Sequence, residues 1–258
     1  LTEDKEPLNR LMELMHGNVY NYHELALDYA QACQWVEAGQ VLSLSEVAEG
    51  LKKNSPLTGY YIGYFKYRQN LTDEAIACFQ QAEMTDSSYC FPNRLEDVLV
   101  LHTAQMLNPA GARAPYYLGN LYYDKRQYEL AKEYWELSIR LDAAFPTAWR
   151  NLALYYYNKE KNQKRAVESM ERAFRLDETD ARVFMELDQL YKAIGKSHAE
   201  RLAFLDKYVS LIRLRDDLVL EYITLLNMLG RYEEAKQMLD CRIFHPWEGG
   251  EGKVPAQY

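Results

Sequence analysis

The stretch PYYLGNLYYDKRQYELAKEYW, residues 115–135, decides the fold. Within it Leu118 and Gly119 are followed by Tyr122, then Ala131, then Trp135. The same outline returns about 34 residues later as Trp149, Leu152, Ala153, Tyr156, Ala166, Met170 and Ala173. A third copy carries Phe184, Leu187, Tyr191 and Phe204, and a fourth reads Val219, Tyr222, Leu226, Gly230, Ala235 and Leu239. A fixed period of this length marks a chain assembled from one unit that cannot bury its apolar face alone, so neighbours must stack. The three- and four-residue spacing of the large residues gives each segment the apolar stripe of a helix. Small residues at Gly119, Ala131, Ala153, Ala166 and Ala235 let two helices approach closely. The reading is therefore all-α, an array of antiparallel helix pairs, and it argues against a pocket enzyme.

Towards the N-terminus the pattern loosens. Leu8, Leu11, Met12 and Met15 share one helical face, which Gly17-Asn18 ends. Tyr22, Leu25, Ala26 and Tyr29, then Ala38 and Leu42, make a first pair. Gly59, Ile62 and Gly63, then Ala75, Phe79 and Ala82, make a second, with Thr72 expected to cap its later helix ahead of Asp73 and Glu74. The period then slips, because Ala75 and Ala131 are 56 residues apart. The surplus reads as one unpaired helix: Asn93 and Glu96 form a capping box, Leu95, Val98, Leu99, His102 and Met106 form one stripe with His102 as a core histidine, and Asn108-Pro109 stops it. The turn Asn158–Gln163 holds one extra residue, so Ala166 arrives one place late. After Phe244 the chain becomes HPWEGGEGKVPAQY, a Gly- and Pro-rich tail whose Trp247 is expected to cover the last helix pair. The expected organisation is N-terminal helical repeats over 1–87, an irregular single-helix unit over 88–111, four repeats over 112–244 and the tail 245–258.

The charge balance, 30 basic against 38 acidic residues for a net −8, disfavours nucleic acid as a partner, since such binding rests on neutralising phosphates. Cys33, Cys78, Cys90 and Cys241 are far apart and form no C-x-x-C pair, which sets aside zinc and redox motifs and points to a reducing compartment. No apolar run is long enough to span a bilayer, so no membrane partner is expected. His245, Glu248 and Glu251 are a weak ligand set, and neither a metal nor a cofactor is expected. G-x-S-x-G and H-E-x-x-H are absent from the sequence. The chain opens on Leu1 rather than Met and reads as a piece of a longer protein, expected in the cytoplasm.

The large residue, Leu-Gly, Tyr, Ala, Phe order resembles the tetratricopeptide repeat, most closely over 112–176 and more loosely over 19–82 and 181–244. Pro115 stands where a leading aromatic is expected, Asp188 where a small residue is, and Lys66 where Tyr is. The strings CFPNRLEDV, APYYLGNLYYDK, WRNLA and FHPWEGGEGKV are also similar to large bacterial proteins of unassigned function, in which a β-rich N-terminal domain precedes such repeats. The first resemblance implies a right-handed superhelical solenoid that binds a protein or peptide on its concave face, as a non-enzymatic scaffold. The second implies an accessory helical domain of a carbohydrate-related enzyme as an alternative. Homodimerisation through exposed end units is a third reading.

Placed by period, the exposed face of the first helices is expected to carry Tyr60, Tyr64 and Tyr67, then Arg113, Tyr116, Tyr117, Asn120 and Tyr123, then Arg150, Asn151 and Tyr157, and then Arg182, Glu186 and Gln189. Tyrosine offers large contact area at low entropic cost, and 22 tyrosines suggest a lined groove as well as packing. Arg113, Asn151 and Arg182 also stand where one branch of the family grips a peptide's terminal carboxylate, although Glu186 would repel it.

Overall fold

Helices form wherever the three- and four-residue apolar spacing runs, and they stop where the backbone turns left-handed. The computed structural model describes residues 6–47, 55–87, 90–245 and 252–257, and among these none lies in a strand. The helices are α1 (Glu6–Leu14), α2 (Val19–Gln31), α3 (Trp35–Val47), α4 (Pro56–Arg68), α5 (Thr72–Glu83), α6 (Leu95–Leu107), α7 (Arg113–Asp124), α8 (Tyr128–Leu141), α9 (Pro146–Asn158), α10 (Gln163–Leu176), α11 (Ala181–Ala193), α12 (His198–Leu205), α13 (Val209–Ile212), α14 (Asp216–Met228) and α15 (Tyr232–Asp240). The chain divides into two compact units, Leu1–Ala143 and Ala144–Tyr258. The first pairs α2 with α3, α4 with α5 and α7 with α8; the second pairs α9 with α10, α11 with α12 and α14 with α15. Each unit is thus a helical-repeat array of the kind the period predicts.

The pairs share one turn. A residue with positive φ follows each first helix: Cys33 (59°), Asn70 (63°), Arg126 (61°), Lys161 (57°), Gly195 (80°) and Gly230 (76°). The next amide then donates to the carbonyl five residues back, as Leu71 does to Lys66 (3.0 Å), Gln127 to Tyr122 (2.8 Å) and Arg231 to Leu226 (2.9 Å). At Asn158–Gln163 the bond spans six residues instead, Asn162 to Tyr156 at 2.8 Å, which absorbs the extra residue. Because this bond already occupies the amide of Leu71, Leu71 takes the cap position of α5 and Thr72 is its first helical residue, not the cap.

Small residues set the spacing within a pair. A Cβ placed on Gly119 would stand 2.4 Å from the indole of Trp135, and one on Gly63 would stand 2.6 Å from the ring of Phe79. Trp135 cannot swing aside freely, because it is buried and its Nε1 donates to Asn120 Oδ1 at 3.0 Å. Ala131, Ala153, Ala166 and Ala235 are all fully buried at the same kind of contact.

The surplus helix α6 is oriented by one carboxylate. Asp97 accepts the amides of Asn93 (2.8 Å) and Arg94 (2.9 Å) and, on its other oxygen, the hydroxyl of Tyr61 (2.7 Å). Asp97, not Glu96, therefore closes the start of this helix. Drawing Asp97 inward turns Val100, Leu101 and Ala104 into the core, where α6 packs on α4 and α7. The expected buried stripe is rotated outward: Leu95, Leu99 and Met106 are 78%, 55% and 60% exposed. His102 is half-buried, with Nε2 3.0 Å from the Tyr122 hydroxyl and Nδ1 3.5 Å from that of Tyr134.

Two measurements test this packing. Gly119→Ala should cost about 1–3 kcal/mol because the indole has nowhere to go. Gly39→Ala, in α3 with open space around its Cβ, should instead gain about 0.5–1 kcal/mol from helix propensity. Urea denaturation of both variants checks the opposite signs. The second measurement concerns His23, buried with Nε2 2.9 Å from Thr58 Oγ1 and its ring edge-on to Tyr61. Burial pushes its pKa from 6.5 down to about 4, so between these values the unfolded chain holds more protons than the folded one. Stability should be full above about pH 6.5 and fall by about 3 kcal/mol as pH drops to about 4. Denaturation at a series of pH values should show that slope and show it flattened in His23→Gln; an unchanged slope would contradict the assignment.

Candidate functional site

The tyrosines expected on an open face are mostly core. Tyr60 and Tyr117 are fully buried, and Tyr64 and Tyr116 nearly so. The ring of Tyr60 stacks on Phe79 at 6.2 Å and meets Tyr117 edge-on at 6.0 Å, while its hydroxyl donates to Glu83 at 2.7 Å. Glu83 in turn accepts the amides of Arg113 (2.9 Å) and Ala114 (3.2 Å) at the start of α7. Tyr64 accepts a hydrogen bond from Arg68 at 3.0 Å and lies edge-on to Trp35. These four residues are corrected from groove to packing. The physical reason is that aromatic rings between adjacent repeats fill the gap that the small residues do not.

The remaining predicted residues of the first unit keep some exposure. Tyr67 is half-buried. Asn120 accepts the Trp135 indole, Tyr123 packs against Tyr128 and Trp135, and Arg113 lies 3.5 Å from Asp142. Nearby Cys90 is buried, and burial pushes its thiol up to about 11, so it is a protonated packing group rather than a nucleophile.

In the second unit the structure brings Arg150, Asn151, Arg182 and Glu186 together. Arg150 donates to both carboxylate oxygens of Glu186, Nε at 2.6 Å and Nη2 at 2.5 Å, and reaches Asn151 Oδ1 at 3.4 Å. Arg182 Nε adds a bond to Glu186 at 3.2 Å. Glu186 thus ties α9 to α11 and holds the cations that a ligand carboxylate would need. A parallel tie runs from α11 to α14, where Lys192 donates to Glu221 at 2.9 Å. Burial alone would raise the pKa of Glu221, but hydrogen bonds from Arg201 and Lys192 outweigh it and leave the pKa below the ordinary value.

Arg201 is the partner that sequence reasoning missed. Asp188 occupies the small-residue position of α11, equivalent to Gly119 and Ala153; Arg201 stands 35 residues after Ala166 and 34 before Ala235, at the alanine position of the facing helix. Both are buried, at 0% and 1% exposure, and Arg201 bonds Asp188 at 3.0 and 2.5 Å and Glu221 at 2.7 Å. An ion pair therefore replaces the small–small contact of the other repeats. The signal was present in the register: two breaches of the pattern, one on each helix, of opposite charge.

At the C-terminal end, Val254 packs on the apolar core and Asn227 donates to the Gln257 carbonyl at 3.1 Å. Trp247, Glu248 and Glu251 lie outside the described residues. His245 donates its amide to Asp216 at 2.9 Å, with Nδ1 3.3 Å from the same oxygen. Among the described residues no three His, Cys, Asp or Glu side chains gather as a metal site, and no helix is long and apolar enough to cross a membrane.

With the small-residue contacts and shared turns in view, comparison with known families is decisive for residues 112–145 and 146–180, each of which matches the tetratricopeptide repeat. The chain is a tetratricopeptide-repeat protein. The matched spans are the pairs α7/α8 and α9/α10, the two copies in which Gly119 or Ala153 faces a buried alanine. Among solved structures, the C-terminal part of a tetratricopeptide repeat-containing protein from Cytophaga hutchinsonii shares the fold at 16% identity, covering 98% of this chain and 92% of that one with a TM-score of 0.50. PilF of Pseudomonas aeruginosa matches at 16% identity, 86% and 88% coverage and a TM-score of 0.45. YrrB, described as a tetratricopeptide-repeat protein with an unusual peptide-binding site, matches at 19% identity, 72% and 84% coverage and 0.43. The repeat fold is a typical scaffold for protein interaction.

The buried ion pair of this repeat protein can be tested directly. Asp188→Ala leaves Arg201 buried without its main partner and should cost about 3–5 kcal/mol. Adding Arg201→Ala rebuilds the alanine–alanine contact of Ala153 and Ala166 and should recover most of the loss. Chemical denaturation of the three proteins checks this, and a double variant no better than the single one would contradict it.

Proposed function

We propose that the chain is a non-enzymatic scaffold, and that it binds an extended peptide segment of a protein partner on the first-helix face of Ala144–Tyr258. Residues at the repeat period support this reading. Leu154, Gln189 and Thr224 occupy equivalent positions of α9, α11 and α14, as do Tyr157, Lys192 and Asn227. Half-buried Leu154 and Tyr157 offer apolar contact, while exposed Gln189 and Arg182 offer hydrogen bonds. The observation that carries the proposal is the pair of carboxylate ties, Glu186 to Arg150 and Glu221 to Lys192, which cross-link successive first helices and hold the face ready before any ligand arrives.

The same ties favour a peptide with neutral acceptors over one gripped by its terminal carboxylate. Glu186 already neutralises Arg150 and shares Arg182. In the first unit, Tyr67, Asn120 and Tyr123 are the residues of the equivalent face that support a similar role. A cytoplasmic location suits the four free cysteines. The reading as an accessory domain of a carbohydrate-related enzyme draws no support from the described residues.

A displayed library of random peptides should yield binders to the purified chain. Binding should fall at least about tenfold in an Arg182→Ala/Gln189→Ala variant, the loss of roughly 1.4 kcal/mol expected for one or two interfacial hydrogen bonds. It should be unchanged in Lys164→Ala, on the exposed surface of α10. Binders indifferent to the double variant would refute the placement.

A further inference from the structure

Helix α6 is apolar on every side. Val100, Leu101 and Ala104 face the core, and Leu95, Leu99 and Met106 lie in solvent on the opposite face, with half-buried His102 between them. A helix of that pattern inside a folded chain is normally covered on both sides. In this unit α2, α4 and α7 each have a paired helix, whereas α6 has none of its own. The outward residues 95, 99, 102 and 106 follow a four–three–four spacing, the seam that two helices use to pack side by side.

We propose that this seam receives the same helix of a second copy, in antiparallel orientation. Its charges select that occupant. The residues flanking the seam are Glu96, Val98, Thr103 and Gln105, so a single charge borders it. With no basic residue on the flank, nothing selects an acidic partner helix, and with only one carboxylate, an identical helix is not repelled. A parallel pair would set the two Glu96 side chains at one level. The antiparallel pair separates them by nine residues of helix rise, about 13 Å, beyond the screening length at physiological salt. It also places Leu95 against Met106 of the second copy and Leu99 against its His102. His102 needs no polar partner there, because both ring nitrogens already face the Tyr122 and Tyr134 hydroxyls. A single helix–helix contact buries less than a standard interface, so the dimer is a weak one that dissociates on dilution.

The test uses the whole chain and residues apart from the peptide face. Sedimentation from low micromolar to near-millimolar protein should show a monomer shifting towards twice its mass. Leu99→Glu should remain monomeric throughout with an unchanged circular dichroism spectrum, since Leu99 is exposed and the fold does not depend on it. In a Cys33→Ser/Cys241→Ser background, Leu99→Cys should form a disulfide-linked dimer on mild oxidation. Leu95→Cys should not, because antiparallel pairing holds its two copies about 16 Å apart along the axis. A chain monomeric at every concentration, a dimer indifferent to Leu99→Glu, or equal cross-linking at positions 95 and 99 would each overturn the proposal.

Discussion

The array depends on close approach between the two helices of a pair, and that approach depends on a missing or minimal side chain opposite a large one. Gly119 against Trp135 and Gly63 against Phe79 are the sharpest instances. Once the backbones are this near, the intervening large residues interdigitate and each contributes about 1.5–3 kcal/mol of burial. The repeat at α11 and α12 shows how strictly the distance is held. It replaces two small residues by Asp188 and Arg201, and the two charges must neutralise each other because no room is left for water. α12 then ends at Leu205 and gives way to a 3-10 turn over Asp206–Tyr208, so the repeat that departs most in sequence also departs most in shape.

Helix pairs, their turns and even the extra residue before Ala166 were legible in the sequence, because each follows from local spacing. Three things were not. The orientation of α6 was misjudged, since apolar residues on all its sides leave periodicity without a preferred face, and the decision passed to Asp97 and a tyrosine 36 residues upstream. The burial of Tyr60, Tyr64, Tyr116 and Tyr117 was missed because a tyrosine on a first helix can point to solvent or to the next repeat with the same spacing. Arg201 was missed because each half of an ion pair, read alone, looks like a simple lapse in the pattern. The arginine cluster was placed correctly on one face, but Glu186 changes its meaning from a vacant cationic site to a cross-link between helices.

These distinctions bear on function more than on fold. A repeat array has no cleft to shape a reaction, so its specificity rests on a surface whose geometry is fixed in advance. In the second unit, carboxylates from successive first helices fix it; in the first, tyrosine–carboxylate contacts do so by joining hydroxyls to helix starts. In both, the polar groups that look most available in sequence are largely committed to holding the scaffold, and what remains for a partner is the less conspicuous Leu154, Tyr157 and Gln189.

The bond from Tyr61 to Asp97 has a further consequence for how the chain is assembled. α6 lacks a start signal within its own neighbourhood strong enough to set its face, and it borrows one from α4. Closing a loop of that length is entropically dearer than closing the short turn inside a pair, so α6 docks after the pairs beside it have formed. During synthesis this segment is therefore the last of its unit to be sheltered, and its leucines are the residues a chaperone or a sister nascent chain meets first.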